Sequence, residues 1–415
     1  MPASDSRGSA ALPASPYTTW QMGPARAGDC VVLVASKPGV FAHGHLDPAA
    51  SMLAEAIVAV GETVADGAPA QMGARGRSLH LSSGNGFVPA VAARCGYQPM
   101  ALDRYQSNVE ASQRTLHDRE GAVVAHAALA GALLPDASCT LVTIRIPTDK
   151  LSVQLAIAEA FRVLAPGGTC MLAGGNDEGA KPAAKMLERV FGHARLDAQH
   201  SSHRLLTARK LVDAPRDPDA IASPWLDEGH FHEVPVRTGG AAFTLYTRPG
   251  VFSWQHLDEA TNLLAGVMRI DAGERVLDLG CGAGALGVVA ARHGASRVLL
   301  LDADADAVRC ATRTAQQAGA AAIDVRASDV AQAAGDERFD VVVTNPPFHL
   351  GKGTDLHIPR AFITQSYDRL LPGGRLYLVA NRTLPYEWLI EETFGEVRTA
   401  HDGQRFKVIG AVRGG

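Results

Sequence analysis

Along most of the chain, apolar residues come in short unbroken runs, each followed by an Ala-rich stretch. Runs such as VLLLD (298 to 302) and FDVVV (339 to 343) show no alternation with polar residues, the pattern of strands covered on both faces. The stretches between them, among them ALGVVAARHG and AVRCATRTAQQAG, have the composition of helices. Strand then helix, repeated, predicts an α/β fold: a mostly parallel sheet with helices on both faces and ligands at the carboxyl ends of the strands. HEVPVRT and AAFTLYT flank a Gly-Gly pair, which predicts an antiparallel hairpin ahead of that sheet.

The pattern occurs twice. GDCVVLVASKPGVFAHGHLDPAASML (28 to 53) lies over GGAAFTLYTRPGVFSWQHLDEATNLL (239 to 264) at an offset of 211. LHLSSGNGFVPAVAARCG (79 to 96) lies over LDLGCGAGALGVVAARHG (277 to 294) at 198, and VLAPGGTCML parallels RLLPGGRLYL at 206. Landmarks in one order at nearly one offset mean that a whole domain is duplicated. The expected organisation is a Ser/Ala/Pro-rich disordered tail over 1–16, a first domain over 17–211, a Pro- and Asp-rich linker over 212–230 and a second domain over 231–415.

Totals narrow the class. At 415 residues with net charge -4, the chain is not a generally basic nucleic-acid binder, and an RNA partner would have to meet a local patch. The charge divides unevenly, +2 over residues 1–211 and -6 over 212–415. Six scattered cysteines without a C-x-x-C pair suit a reducing cytoplasm. With neither a signal-peptide core nor an apolar run long enough to span a bilayer, a cytoplasmic protein free of the membrane is expected. The pairs His43/His45 and His230/His232 lack companion ligands at metal-site spacing, so no metal is expected.

Candidate chemistry sits at four successive strand ends of the second copy. In VLDLGCGAGALG (276 to 287), Asp278 closes a strand and Gly280, Cys281, Gly282 and Gly284 form a tight turn into a helix amino terminus, which favours a carboxylate. The G-x-G-x-x-G within it, taken alone, is weak: it reads as a dinucleotide signal or merely as a tight strand-to-helix turn. Asp302, followed by Ala303, ends the next strand, where an acid can take both ribose hydroxyls or cap a helix. Asp329 ends the third, facing an adenine amino group or a surface turn. The fourth runs into TNPPFHL: Pro346 and Pro347 must end the pairing and leave a stiff turn that holds Asn345 and Phe348 in place.

D-x-G-x-G, the strand-end Asp and N-P-P-F together resemble class I S-adenosylmethionine-dependent methyltransferases that act on exocyclic or amide nitrogens. With the duplication, GVFS and LDEATNLL ahead of the glycine loop and a late RFKV segment, the chain is similar over residues 17 to 412 to the ribosomal RNA guanine-N2 methyltransferases. One departure is visible: the family's LD-x-G-(S/T) element usually has Gly where this chain has Ala260. The resemblance implies two tandem Rossmann-like domains, the first degenerate. It implies S-adenosyl-L-methionine as cofactor, held by Asp278, Gly280, Cys281, Gly282, Gly284, Asp302, Ala303, Asp329, Asn345, Phe252 and Thr261. It implies ribosomal RNA or the small ribosomal subunit, 16S rRNA first, as partner of a monomer that needs no metal. In that reading Asn345, Pro346, Pro347 and Phe348 are catalytic. The Asn345 oxygen and the Pro346 carbonyl accept the amine N–H groups and aim its lone pair, while Phe348 stacks on guanine for roughly 1 to 3 kcal/mol. His349 and Lys352 are weaker candidates for substrate or phosphate contacts.

The first copy is an internal control. It has His80, Ser82 and Arg145 where the second has Asp278, Gly280 and Asn345, while Gly84, Gly86, Pro147 and the turn at Pro166, Gly167 and Gly168 persist. Such a copy keeps the fold and loses the chemistry. Lys181, Lys185, Arg189, Arg204, Arg209 and Lys210 cluster late in it, so it either holds RNA or serves as a structural partner. Other readings are an N-P-P-F/Y methyltransferase acting on 23S rRNA, DNA adenine or protein glutamine, and a non-catalytic RNA-binding assembly factor. Asn rather than Asp at 345 weakens the DNA reading, and the intact second copy weakens the last.

Overall fold

A computed structural model describes residues 16–61, 73–347 and 356–415. The expected tail thus lies almost wholly outside the described residues, as do Phe348, His349 and Lys352.

The first half opens with an antiparallel hairpin, β1 (Gln21–Ala27) and β2 (Cys30–Ser36), followed by α1 (Pro48–Gly61). Strands and helices then alternate: β3 (Arg77–Leu81), α2 (Phe87–Arg94), β4 (Gln98–Asp103), α3 (Gln106–Thr115), β5 (Val123–His126), β6 (Cys139–Arg145), α4 (Lys150–Val163), β7 (Leu164–Gly175) and α5 (Ala180–Phe191). The pair β8 (Arg195–His200) and β9 (His203–Arg209) closes the half.

The second half repeats this order. Its hairpin is β10 (His232–Thr238) and β11 (Ala241–Thr247), turned by Gly239 and Gly240, both at positive φ as the tight two-residue turn requires. Then come α6 (Glu259–Val267), β12 (Arg275–Leu279), α7 (Ala285–Arg292), β13 (Arg297–Asp302), α8 (Ala305–Gln317), β14 (Ile323–Ala327) and β15 (Phe339–Thr344). The half ends with α9 (His357–Arg369), β16 (Leu370–Asn381), α10 (Tyr386–Phe394), β17 (Arg398–Asp402) and β18 (Phe406–Val412).

Each half holds a seven-stranded sheet, ordered β5-β4-β3-β6-β7-β9-β8 and β14-β13-β12-β15-β16-β18-β17. The two orders correspond strand for strand. In the second, β14, β13, β12, β15 and β16 run parallel, and β18 and β17 add an antiparallel edge. Strand order reverses between β12 and β15, so a crevice opens at their carboxyl ends. The unbroken apolar runs are buried on both faces: Leu277, Leu279, Leu299 and Leu301 pack toward one helix layer, and Val276, Val298, Leu300 and Val343 toward the other. Among the described residues, no helix is long and apolar enough to cross a membrane.

The halves meet through equivalent segments. Gln106 N–H donates to the Ala303 carbonyl at 2.8 Å, and Ala305 N–H donates to the Arg104 carbonyl at 2.9 Å, which places Tyr105 opposite Asp304 in an antiparallel bridge. At the offset of 199 that relates β4 to β13, each bond is the counterpart of the other. Arg104 adds a two-pronged ion pair, both nitrogens 2.6 Å from Asp304.

Candidate active site

The glycine turn after β12 is pinned from the side. Gly280 and Cys281 donate to the Leu301 carbonyl at 2.8 and 3.0 Å, so the turn follows the end of β13 rather than drifting into solvent. Gly282, at φ 54°, holds a left-handed backbone that glycine adopts without strain, and a Cβ there would meet open space. Gly284 is the N-cap of α7, where a Cβ would sit 3.3 Å from the Ala311 backbone. The first copy keeps this path at a cost: Ser82, in the place of Gly280, holds a positive φ of 56°.

Two acids flank the turn. Asp302 accepts from Gly282 N–H at 2.8 Å and Asp304 N–H at 2.9 Å, and burial, helped by the nearby Asp304 charge, raises its pKa to about 6. Asp278 is fully buried, accepts from Gly287 N–H at 2.9 Å through Oδ2, and is pushed up to about 7 by burial. Its Oδ1 is buried without a hydrogen-bond partner. A buried oxygen left open beside a glycine turn fits a ligand with a donor to offer, as S-adenosylmethionine has in its amino group. Cys281 is buried beside these acids, and burial raises its thiol well above the ordinary range.

Across the crevice, β15 delivers Asn345. Thr344 pairs with Leu279 and its hydroxyl donates to the Leu279 carbonyl at 2.7 Å, so the Asn-Pro turn starts level with the glycine turn. The Asn345 amide nitrogen donates to Asp258 Oδ2 at 3.1 Å and to Thr261 Oγ1 at 2.9 Å. A carboxylate can only accept, so this contact fixes which end of the amide is nitrogen. Asn345 Oδ1 is thereby left buried and without a partner. Pro346 is buried and Pro347 exposed.

Asp258, the acid of the LDEAT element, was not among the candidate residues, yet it holds the Asn345 amide. It is the N-cap of α6, its Oδ2 accepting from Thr261 N–H at 2.8 Å. Ala260, where the resembling family has Gly, lies in the first turn of α6 and is 1% exposed, so alanine fits that helical position.

The remaining candidates are placed differently. Phe252 is 63% exposed in the loop after β11. Ala303 stands at the junction of the halves, its carbonyl accepting from Gln106 and from the His126 ring at 2.9 Å. Asp329 is buried, and its carboxylate accepts from Tyr17 and Lys37 of the first half. No group of three or more His, Cys, Asp or Glu that could hold a metal ion occurs among the described residues.

The first half shows the same geometry shut. Arg145, in the place of Asn345, reaches Asp47, the counterpart of Asp258, at 3.2 Å and Glu178 at 2.6 Å. His80, in the place of Asp278, is buried between Ser78 and Thr143, and burial lowers its pKa to about 3. The cleft lined by Phe41, Asp47, Leu53, His80, Asn85 and Arg145 therefore carries no open acceptor of the second half's kind. Of the basic group, Lys210 does not belong on the surface: it is buried and donates to the Phe161 and Leu164 carbonyls, while Arg189 is paired with Asp217.

Known proteins agree with this arrangement. Residues 242–410 match the family described as methyltransferase small domain, and residues 79–172 match a family described as methyltransferase domain. A protein of Pseudomonas aeruginosa (strain UCBPP-PA14) named ribosomal RNA small subunit methyltransferase C is 34% identical over 280 residues, covering 67% of this chain and 81% of that one. A protein of the same name from Pseudoalteromonas atlantica is 30% identical over 74% of this chain and 85% of its own. A solved structure of the T. thermophilus 16S rRNA N2 G1207 methyltransferase, in complex with AdoMet and guanosine, superimposes with a TM-score of 0.76 at 27% identity, covering 95% of this chain and 98% of that one. With two S-adenosylmethionine-dependent methyltransferase folds in tandem and relatives of this identity along most of their length, the chain belongs to the ribosomal RNA small subunit methyltransferase C family.

Proposed function

We propose that the second half transfers a methyl group from S-adenosylmethionine to the exocyclic N2 amine of a guanine in 16S rRNA. One observation carries this reading: the Asn345 amide is held by its nitrogen, so its oxygen is left buried and unpaired, an acceptor still to be satisfied. The lone pair of a purine amine is delocalised into the ring and makes a poor nucleophile. Accepting the amine's N–H groups on Asn345 Oδ1 and the Pro346 carbonyl draws that nitrogen toward tetrahedral geometry and aims its lone pair. Pro346 and Pro347 keep the acceptors from retreating, and positioning of this kind is a main catalytic contribution. Phe348 is assigned to stack on the base. When bound, S-adenosylmethionine supplies an electrophilic methyl on a sulfonium whose departure as a neutral thioether needs no metal. The methylated amine then loses its proton to water.

Asp278 and Asp302, on either side of the glycine turn, are assigned to the amino and ribose groups of the cofactor. The solved relative, described as an N2 G1207 methyltransferase bound to guanosine, supports the choice of guanine N2 over adenine. The test is incubation of the purified chain with labelled S-adenosylmethionine and separated small and large ribosomal subunits, followed by nucleoside analysis. Label in N2-methylguanosine from the small subunit is the expected result, and its loss in Asn345→Ala ties it to this site. Label in methyladenosine, or in protein, overturns the guanine assignment.

A further inference from the structure

Lys37 is fully buried, yet it belongs to the first half and its partner belongs to the second. Its ammonium pairs with Asp329 Oδ2 and lies 4.0 Å from the centre of the Tyr17 ring, while the Tyr17 hydroxyl donates to Asp329 Oδ1 at 2.6 Å. Gln332 adds a third donor at 3.2 Å. Asp329 begins the turn after β14, beside the ribose acid: the preceding Ser328 N–H donates to the Asp302 carbonyl at 2.8 Å. The next residue, Val330, sits at φ 52°, a conformation that a β-branched side chain resists and that persists only where surroundings enforce it.

The duplication shows that this contact is not a by-product of how the halves pack. Ala127 N–H bonds to the Asp103 carbonyl as Ser328 does to Asp302, so the counterpart of Asp329 is Ala128. Lys37 corresponds to Arg248, which spends its guanidinium on the carbonyls of Trp225, Asp227 and His230. Among the described residues, the first half's β5 end meets the second half through the His126 ring and the Ala303 carbonyl, with no ion pair like Lys37–Asp329.

We propose that the first half completes the cofactor site of the second, with Lys37 and Tyr17 as positioning residues that hold the Asp329 turn against the adenosine end of the cofactor. This rests on the reading of the Asp302 edge as the adenosine side. A buried ammonium without its carboxylate, or the reverse, destabilises strongly, so the pair is tightly specified. Its release lets the turn relax from its strained path and disturbs the adjoining Asp302 strand end.

The experiment measures binding of S-adenosylhomocysteine, 5′-methylthioadenosine and guanosine by calorimetry to the full chain and to Lys37→Met, Tyr17→Phe and Lys37→Met/Asp329→Asn. The double variant leaves no unpaired buried charge and keeps the test open if Lys37→Met folds poorly. The expected result is a loss of about tenfold in affinity for both adenosine ligands in the lysine variants, with a smaller loss in Tyr17→Phe and guanosine binding unchanged. Equal affinity for the adenosine ligands in the double variant and the parent overturns the proposal. So does a loss for S-adenosylhomocysteine much larger than for methylthioadenosine, which would place the effect at the amino-acid end. Unchanged methylthioadenosine binding in Asp302→Ala sinks the underlying adenosine reading instead, independently of Lys37.

Discussion

The amide nitrogen of Asn345 lies 3.1 Å from Asp258 Oδ2, a pairing of residues 87 apart that decides which way the amide points. Replacing the carboxylate by an amide removes that decision, because an asparagine side chain in its place can either accept or donate. Asp258→Asn is expected to lower kcat about tenfold or more while leaving the Kd for S-adenosylhomocysteine within about twofold, since the misdirected group meets the amine and not the cofactor. Steady-state kinetics beside calorimetry separate the two. A parallel loss of cofactor affinity would argue against the role given to this pair.

Asp302 holds two backbone N–H groups, from Gly282 and Asp304, and so joins the glycine turn to the start of α8. Asp302→Ala is expected to abolish measurable S-adenosylhomocysteine binding at ligand concentrations that saturate the parent. Asp302→Asn keeps only one of the two acceptors and turns an NH2 toward the other N–H, so it should lose part of the turn's stability and bind more weakly than the parent. Thermal unfolding read beside calorimetry distinguishes a lost ribose contact from a lost turn.

Asp278 makes stability depend on pH. Its folded-state pKa is about 7 against an ordinary 3.8, raised by burial. Below pH 3.8 both states hold the proton and nothing is gained or lost. As pH rises from there toward 7 the unfolded chain releases the proton first, so the contribution of this group to stability falls and then levels off above about 7. Asp278→Asn is therefore expected to stabilise the ligand-free protein, by on the order of a few kcal/mol at about pH 8 and much less at about pH 4.5. Unfolding midpoints across that range check the sign, and a pH-independent difference would refute the assignment.

Arg104 and Asp304 form a two-pronged pair with side chains only 15% and 12% exposed. Arg104→Ala strands Asp304 beside Asp306, and the expected cost is about 3 to 5 kcal/mol. Arg104→Met with Asp304→Asn should recover a large part of it. Urea unfolding midpoints for the single and double variants test this.

What the sequence disclosed was what short range determines. Apolar runs, Gly239-Gly240 and the glycine turn specify strands, hairpin and strand-to-helix turn from neighbouring residues alone, and the duplication fixed their order. Asp278, Asp302 and Asn345 could be brought together from sequence because strand ends of a parallel sheet converge. The LDEAT element was visible, but the part Asp258 plays in it was not, because an N-cap looks the same whether or not a distant amide leans on it. Lys37 and Tyr17 gave no signal at all: their partner, Asp329, is 292 and 312 residues away. Lys210 misled for the opposite reason, since a lysine near a strand end reads as solvated until two helix-end carbonyls, those of Phe161 and Leu164, are seen to take its ammonium.

The bridge between Tyr105 and Asp304 joins a segment to its own copy. A contact of that kind is self-complementary, the sort that two identical protomers share across a two-fold axis. Carried on one polypeptide, it forms at any dilution, and neither side has to match the other any longer. That freedom let one side keep an unpaired amide oxygen at Asn345 while the other filled the same corner with Arg145, so a symmetric architecture came to hold two unlike corners.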